Sequence, residues 1–232
     1  MIKIINNLDS LFVGDLVLDD TIARRVNEEW NEFINDKDSE DFYDGDIYCV
    51  TDIDEEVPLI KISKSKFSTL YYARKTGEIT VRSLFSAGYI TTSDNYVCII
   101  LNSRGNKLNA IGGMADSKDI INNKFDYYKC LVREFMEELG FDLINDSNFD
   151  AILRFLKYPS EEESNKAFYP VGTLYEVKTK YTKDQLIDMF NNNEHDNEVK
   201  ELKFYNNDNY REVYSYNSKT DYLDELFSIL FE

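Results

Sequence analysis

The chain has 232 residues, of which 43% are hydrophobic and 14% aromatic, a composition typical of a folded globular protein rather than a disordered one. This length allows one large domain, or a catalytic domain with a smaller extension. The formal net charge is −18, so most of the surface should repel nucleic acid, and we expect no nucleic-acid partner. Small anionic substrates remain compatible with this charge, because bound divalent cations can reverse the electrostatic potential within one pocket.

The cysteines and the ends of the chain indicate the compartment. Cys49, Cys98 and Cys130 are widely separated and lack CxxC spacing, which favours neither a disulfide framework nor a zinc site. The first residues lack the basic start and apolar run of a signal peptide, and no apolar stretch has membrane-spanning length. We therefore expect a cytoplasmic protein that does not bind membranes, and the sequence leaves open whether it forms a homodimer.

The first helix is predicted from Asp19 to Phe33, where Ile22, Val26 and Trp30 continue one apolar stripe at helical spacing. The pattern then predicts a turn at 43–46, a strand at 47–50 and another strand around 59–62.

From about residue 80 the chain becomes rich in β-branched and aromatic residues, which predicts strands and the start of a catalytic domain. The predicted strands are 80–90, 96–101, 151–156, 168–177 and 199–205, and helices are predicted at 182–190 and 221–231. Strands flank a central helix without regular βαβ alternation, which favours an α/β (α+β) fold with a mixed sheet between helices. We assign residues 1–79 to an N-terminal extension and 80–232 to the catalytic domain.

The segment from Gly112 to Phe141 contains the residues that indicate a function. Its second half predicts a helix on which Glu134, Glu137 and Glu138 share one face. At these spacings carboxylates repel one another by roughly 0.2–0.5 kcal/mol per pair on an isolated helix. A hard divalent cation such as Mg²⁺ or Mn²⁺ takes oxygen ligands and would offset that repulsion. A merely solvated acidic face is the simpler interpretation of an isolated glutamate cluster.

The opposite face of this predicted helix is apolar. The residues predicted to pack on the sheet are Tyr128, Leu131, Phe135 and Leu139, and Gly140 is predicted to end the helix.

This helix resembles the REUXEEXGU half of the Nudix signature, in which U is a bulky aliphatic or aromatic residue. The matching residues are Arg133, Glu134, Phe135, Glu137, Glu138, Gly140 and Phe141. The first half of the signature, GX5EX7, fits less well, because Gly113 precedes Arg133 by 20 positions, six more than the signature has. Phe125 stands eight places before Arg133, where the signature has a glutamate, and Asp126 beside it is the candidate substitute.

The resemblance implies an α/β/α sandwich that hydrolyses a diphosphate linkage in a small nucleotide substrate with Mg²⁺ or Mn²⁺. It implies that Glu134, Glu137 and Glu138 are metal ligands and act in catalysis, and that the Gly112 carbonyl is a further candidate ligand. Arg133, one helical turn before Glu137, would hold that carboxylate in place.

Members of this family often recruit a general base from a later loop. Our candidate is Glu198, just before a predicted strand, and Glu194 is the second candidate. His195 is the single histidine of the chain and a weaker candidate, since it lies in an asparagine-rich acidic loop.

The N-terminal region is similar to the UDP-glucose pyrophosphatase branch of the family in its order of helix, acidic loop and strands. This similarity implies a nucleoside diphosphate sugar as substrate, cleaved to a nucleoside monophosphate and a sugar 1-phosphate. Candidates for stacking on the base are Trp30, Phe42, Tyr71 and Tyr72, although Trp30 on an apolar stripe is more often a core residue.

Other substrates and one other class of function remain open. ADP-ribose or a dinucleoside polyphosphate would keep the same chemistry, whereas the charge of the chain disfavours an RNA cap. The long loop and the missing glutamate would also fit a Nudix-fold module that binds or senses a ligand without catalysis.

Overall fold

The computed structural model describes residues 2–4, 8–35, 44–54, 59–157 and 170–232. The strands in these ranges are β1 (Ile2–Ile4), β2 (Asp9–Asp15), β3 (Asp46–Asp54), β4 (Leu59–Lys66), β5 (Arg82–Thr91), β6 (Val97–Asn102), β7 (Leu108–Asn109), β8 (Ile111–Met114), β9 (Ile120–Ile121), β10 (Lys124–Phe125), β11 (Phe149–Lys157), β12 (Val171–Thr179) and β13 (Val199–Tyr205). The helices are α1 (Asp20–Ile34), α2 (Phe67–Thr76), α3 (Tyr127–Leu139), α4 (Lys183–Asn192), α5 (Glu212–Ser215) and α6 (Leu223–Phe231).

Eleven of these strands form one mixed sheet whose long path runs β1-β11-β12-β5-β3-β4-β2. β12 and β5 are parallel, as are β2 and β4, and the other pairs are antiparallel. β6 and β8 pair with β5 off this path, and β9 and β10 form a separate hairpin. The sheet joins strands from before and after residue 80, through β1 with β11 and β3 with β5. The division into an extension and a catalytic domain stays a prediction.

Strand β5 shows how the sheet is covered on both faces. Since side chains alternate along a strand, Leu84 and Ile90 join a core cluster with α3, whereas Phe85 and Tyr89 join a second cluster with α6. The sheet therefore lies between helices, and the predicted α+β class with a mixed sheet in an α/β/α sandwich is confirmed. Burying a large apolar side chain in such a layer contributes about 1.5–3 kcal/mol.

Helix α3 carries the glutamates and is anchored at both ends. The Asp126 side chain caps its start by accepting a hydrogen bond from the Lys129 N–H at 2.9 Å, and Gly140 ends it in the left-handed conformation. Leu131, Phe135 and Leu139 are fully buried, as predicted. The prediction for Tyr128 is wrong: its side chain is 42% exposed, and the preceding Tyr127 is buried instead.

Several other predictions can be compared with the structure. α1 is capped by Asp19, as its predicted start requires, and the strands at 47–50 and 59–62 belong to the antiparallel pair β3 and β4. β1, β2, α2 and the short strands β7 to β10 are not predicted from the sequence. Residue 43 of the predicted turn and residues 168–169 of a predicted strand lie outside the described residues. No described helix is long and apolar enough to cross a membrane.

Candidate active site

The site is built on β8, which lies between β5 and α3. Gly112 has φ +148°, and a side chain there would overlap the Ser86 carbonyl oxygen and Ala87 of β5. The Gly112 N–H faces α3 and donates a hydrogen bond to Glu138 Oε2 at 2.9 Å. The glycine strand therefore holds one of the predicted carboxylates directly.

The carboxylate of Glu134 packs over the next glycine. A Cβ atom added to Gly113 would overlap that carboxylate, so the absence of a side chain at Gly113 makes room for Glu134. The Glu134 side chain is 12% exposed. Burial raises its pKa to about 7, against the lowering effect of the Arg133 charge and hydrogen bond.

Glu138 is the most deeply buried acid of the helix, with 4% of its surface exposed. Burial, followed by the nearby charge of Glu134, raises its pKa to about 9 despite the Gly112 hydrogen bond, and Asp196 and Glu198 add to the repulsion. Within the described part of the chain, no lysine or arginine lies within ion-pair distance of the Glu138 carboxylate. The charges of Glu134, Asp196 and Glu198 thus act on Glu138, and no described cation pairs with its own carboxylate.

Arg133 links the helix glutamates to the preceding loop. Its guanidinium lies 2.7 Å from Glu134 Oε1, 2.9 Å from Glu137 Oε2 and 2.9 Å from Asp119 Oδ2. Although desolvation opposes protonation, the Asp119 hydrogen bond and the Glu134 charge raise the pKa of Arg133. Glu137 is the outer member of the set, with a side chain 46% exposed, whereas Asp119 is completely buried.

The position of Asp119 changes how the loop before α3 aligns with the first half of the signature, GX5EX7. Asp119 stands six positions after Gly113, which is the place of the glutamate in GX5E. The six extra residues therefore follow it, as the hairpin at 120–125, and the Asp126 N–H closes that hairpin with a 2.8 Å hydrogen bond to the Asp119 carbonyl. Asp126, the candidate substitute for the missing glutamate, instead caps α3, and the neighbouring Phe125 is a buried core residue.

The inserted hairpin is fastened to the N-terminal strand β2. The Phe125 N–H donates to Ser10 Oγ at 2.8 Å, and the Phe12 N–H donates to the Asn123 carbonyl at 2.8 Å. At the exposed edge of this contact, the Lys124 ammonium lies 2.7 Å from the Asp9 carboxylate. The loop that presents Asp119 is thus held by residues more than 100 positions away in sequence.

The later acidic loop packs against the C-terminal end of α3. The Asp196 N–H donates to the Glu137 carbonyl at 2.8 Å, and the Asn193 side chain donates to the Gly140 carbonyl at 2.7 Å. This brings Asp196 and the predicted Glu198, both exposed, close enough to Glu138 to raise its pKa.

The other two candidates in this loop are His195 and Glu194. The ring of His195 stacks on Phe190 with centroids 4.2 Å apart, and its Nδ1 lies 2.6 Å from the Asp196 carbonyl. The side chain of Glu194 is exposed, and its backbone carbonyl faces Gly140.

A cleft of about 620 Å³ adjoins the glycine strand. Gly112 and Gly113 form the border between this cleft and the Glu134 and Glu138 carboxylates. The cleft continues past the stacked rings of Phe85 and Tyr222, whose planes are 8° from parallel with centroids 5.9 Å apart. A ligand of nucleotide size bound there would end next to the carboxylates.

Three of the predicted base-stacking residues, Trp30, Tyr71 and Tyr72, are described by the structure and do not line this cleft. Trp30 and Tyr71 pack together between α1 and α2, with ring centroids 6.0 Å apart. Tyr72 is buried and its hydroxyl donates to Glu78, while Phe42 lies outside the described residues.

The donor set suits a divalent cation, although the described side chains do not form a ready-made group of three or more metal ligands. Glu134 and Glu138 supply carboxylate oxygens, which Mg²⁺ and Mn²⁺ prefer. Their raised pKa values show that the site disfavours a second negative charge unless a cation offsets it. The residues therefore fit such an ion, which Glu134 and Glu138 would hold.

Sequence reasoning missed two acidic residues here. Counting five residues on from Gly113, without requiring the full signature length, would have found Asp119. Asp196 carries no local signal, because its place depends on a backbone hydrogen bond to α3.

No protein-family model and no curated protein matches the sequence. Solved structures similar to the chain include DR0079 from Deinococcus radiodurans, at 14% identity and a TM-score of 0.46 over 65% of this chain and 83% of that one. A Nudix hydrolase from Nitrosomonas europaea matches at 13% identity with a TM-score of 0.43, over 63% of this chain and 86% of that one. Tm1382, described as a candidate Nudix hydrolase, matches at 15% identity with a TM-score of 0.46, over 80% of this chain and 98% of that one. Similarity at these levels does not by itself assign a family or an activity.

Proposed function

We propose that the protein is a Nudix-type hydrolase that cleaves a diphosphate linkage in a small nucleotide derivative with the help of Mg²⁺ or Mn²⁺. The observation that carries the proposal is the buried carboxylate pair of Glu134 and Glu138, held against Gly112 and Gly113 at the end of a nucleotide-sized cleft. Burying two interacting acids is costly when, among the described residues, only Glu134 has a cation at ion-pair distance, so their position calls for a functional reason.

Each residue has a proposed role that follows from its contacts. Glu134 and Glu138 would hold the metal together with the more exposed Glu137, and the Gly112 carbonyl remains a candidate ligand. A bound divalent cation supplies a lowered pKa for its water and charge stabilisation for the leaving phosphate. Arg133, itself fixed by Asp119, positions Glu134 and Glu137.

The general base is proposed to come from the later loop. Glu198 and Asp196 are the candidates, because both are exposed acids whose charges reach Glu138. A carboxylate within reach of the attacking water could accept a proton from it.

The proposed substrate class rests on the resemblance of the N-terminal region to the UDP-glucose pyrophosphatase branch, and the size of the cleft is compatible with it. We propose a nucleoside diphosphate sugar such as UDP-glucose, giving a nucleoside monophosphate and a sugar 1-phosphate, with ADP-ribose and dinucleoside polyphosphates as the alternatives. The test incubates purified protein with each substrate and Mg²⁺ or Mn²⁺. A coupled phosphatase then releases inorganic phosphate from the phosphomonoester products, and this phosphate is measured. Turnover of one class supports the proposal, and absence of turnover across the panel with both metals rejects it.

A further inference from the structure

The cleft beside the glycine strand has a charge opposite to that of the chain. Its lining contains the cationic residues Arg74, Lys107 and Lys219 and the acidic residue Asp221, whereas the whole protein has a net charge of −18. A basic lining inside an acidic protein focuses anions into the cleft rather than onto the surface.

Lys219 is not one of the cations available to a ligand. Its ammonium donates to the Val213 and Tyr214 carbonyls at 3.1 and 2.8 Å, and it lies 3.0 Å from the Asp224 carboxylate. These partners use all its donors, so Lys219 ties the C-terminal segment together. The charge of Asp221 is partly offset by the Lys157 ammonium 3.6 Å away.

Arg74 is available. Its closest polar contact to a described residue is Ser83 Oγ at 3.5 Å, and no described carboxylate lies within ion-pair distance. Desolvation lowers the pKa of Arg74. By contrast, Arg25 has a carboxylate partner, Glu78, whose hydrogen bond raises the pKa of Arg25. A cation in the last turn of α2 is favourable in itself, but this position does not require the side chain to line the cleft.

Lys107 lies in the turn before β7, on the same cleft. It is exposed, and its ammonium makes no hydrogen bond or ion pair with a described residue.

We propose that Arg74 and Lys107 form a phosphate-binding subsite of the cleft. Of the two phosphates of the substrate, one would be held by the metal on the carboxylates, and this subsite would hold the other. The planar guanidinium of Arg74 can donate two hydrogen bonds to phosphate oxygens, and the Lys107 ammonium adds a second positive charge. The identity of the ligand as a nucleotide phosphate rests on the proposed function, whereas anion binding by these two residues does not. The subsite gives the region before residue 80 a direct part in substrate binding, through α2.

The test is calorimetric titration of inorganic pyrophosphate into protein that has been stripped of divalent cations and dialysed. Without metal the probe cannot be held through a cation on the carboxylates, so binding reports on the cations of the cleft. We expect wild-type protein to bind, and Arg74→Gln and Lys107→Gln each to bind about tenfold or more weakly, as loss of a charge-assisted hydrogen bond predicts. Arg104→Gln is the matched control, since it removes the same charge from the turn of Lys107 but lies off the cleft lining, and it should bind like wild type.

Two results would overturn the subsite: no binding of pyrophosphate by wild-type protein, or equal affinities in the Arg74, Lys107 and Arg104 variants. Circular dichroism of each variant shows whether the fold is retained, and Arg74→Lys keeps the charge and should recover part of the affinity. Failure of the proposed function is seen separately, as absence of metal-dependent turnover in protein that still binds pyrophosphate through Arg74 and Lys107.

Discussion

The buried carboxylate of Asp119 accepts a 2.9 Å hydrogen bond from Arg133 Nη2, which lies 14 positions later in the chain, beyond the inserted hairpin at 120–125. Arg133 in turn contacts Glu134 and Glu137, so this pair connects the loop after β8 to the glutamates of α3. The arrangement of the proposed active site therefore depends on a residue outside the helix.

Asp119→Asn should lower both stability and activity. The substitution keeps the shape but removes the charge that faces Arg133, and loss of a buried charge-assisted hydrogen bond costs about 1–3 kcal/mol. Urea unfolding gives the stability and steady-state hydrolysis gives the activity. Asp188→Asn, an isosteric change at an exposed position on α4, is the control, and equal effects of the two substitutions would contradict a positioning role for Asp119.

Ser10→Ala should loosen the inserted hairpin. The buried Phe125 N–H would lose its acceptor, which costs about 1–3 kcal/mol, whereas the exposed Asp9–Lys124 pair is screened by solvent and contributes little. We expect faster hydrogen exchange at the Phe125 amide and a lower rate of hydrolysis. Ser147→Ala changes an exposed serine away from the hairpin, and exchange rates that match between the two variants would show that β2 does not hold the loop.

The stability of metal-free protein should fall as the pH rises from about 5 to about 9. The pKa of Glu138 is raised to about 9 and that of Glu134 to about 7, so the folded state binds more protons than the unfolded state in this range. Each such proton difference lowers the free energy of unfolding by up to about 1.4 kcal/mol per pH unit. Urea unfolding at several pH values in a chelator measures the slope.

Glu138→Gln should flatten that slope, because the amide does not titrate. Glu212→Gln, at an exposed position on α5, should leave the slope as it is in the wild type. Parallel curves for wild type and Glu138→Gln would mean that Glu138 titrates normally in the folded protein.

Local patterns were sufficient for helix α3 and for the outline of the fold. The helix depends on apolar residues at helical spacing and on Gly140, all within a short segment, and these features are visible in the sequence. The mixed sheet between helices follows from the order of strands and helices along the chain. The alternation of β5 residues between two helical layers could not be assigned beforehand, because nearly every residue of this strand is buried.

Other elements depend on contacts that sequence patterns do not contain. β2 has the polar sequence DSLFVGD and is stabilised by pairing with β4 and by the hairpin, and α2 contains little amphipathic pattern. Asp119 was missed because the insertion shifted the spacing to Arg133, although its spacing from Gly113 is regular. Arg74 approaches the cleft only through the fold of α2 on the sheet.

The central claim is that the acidic residues of α3 bind a divalent cation, and calorimetric titration of Mn²⁺ tests it most directly. We predict saturable binding to wild-type protein, weakened by about tenfold or more in Glu138→Gln, with Glu212→Gln like wild type, because removing one anionic ligand weakens a carboxylate site. Mn²⁺ binding that is absent from the wild type, or unchanged in Glu138→Gln, would contradict the account.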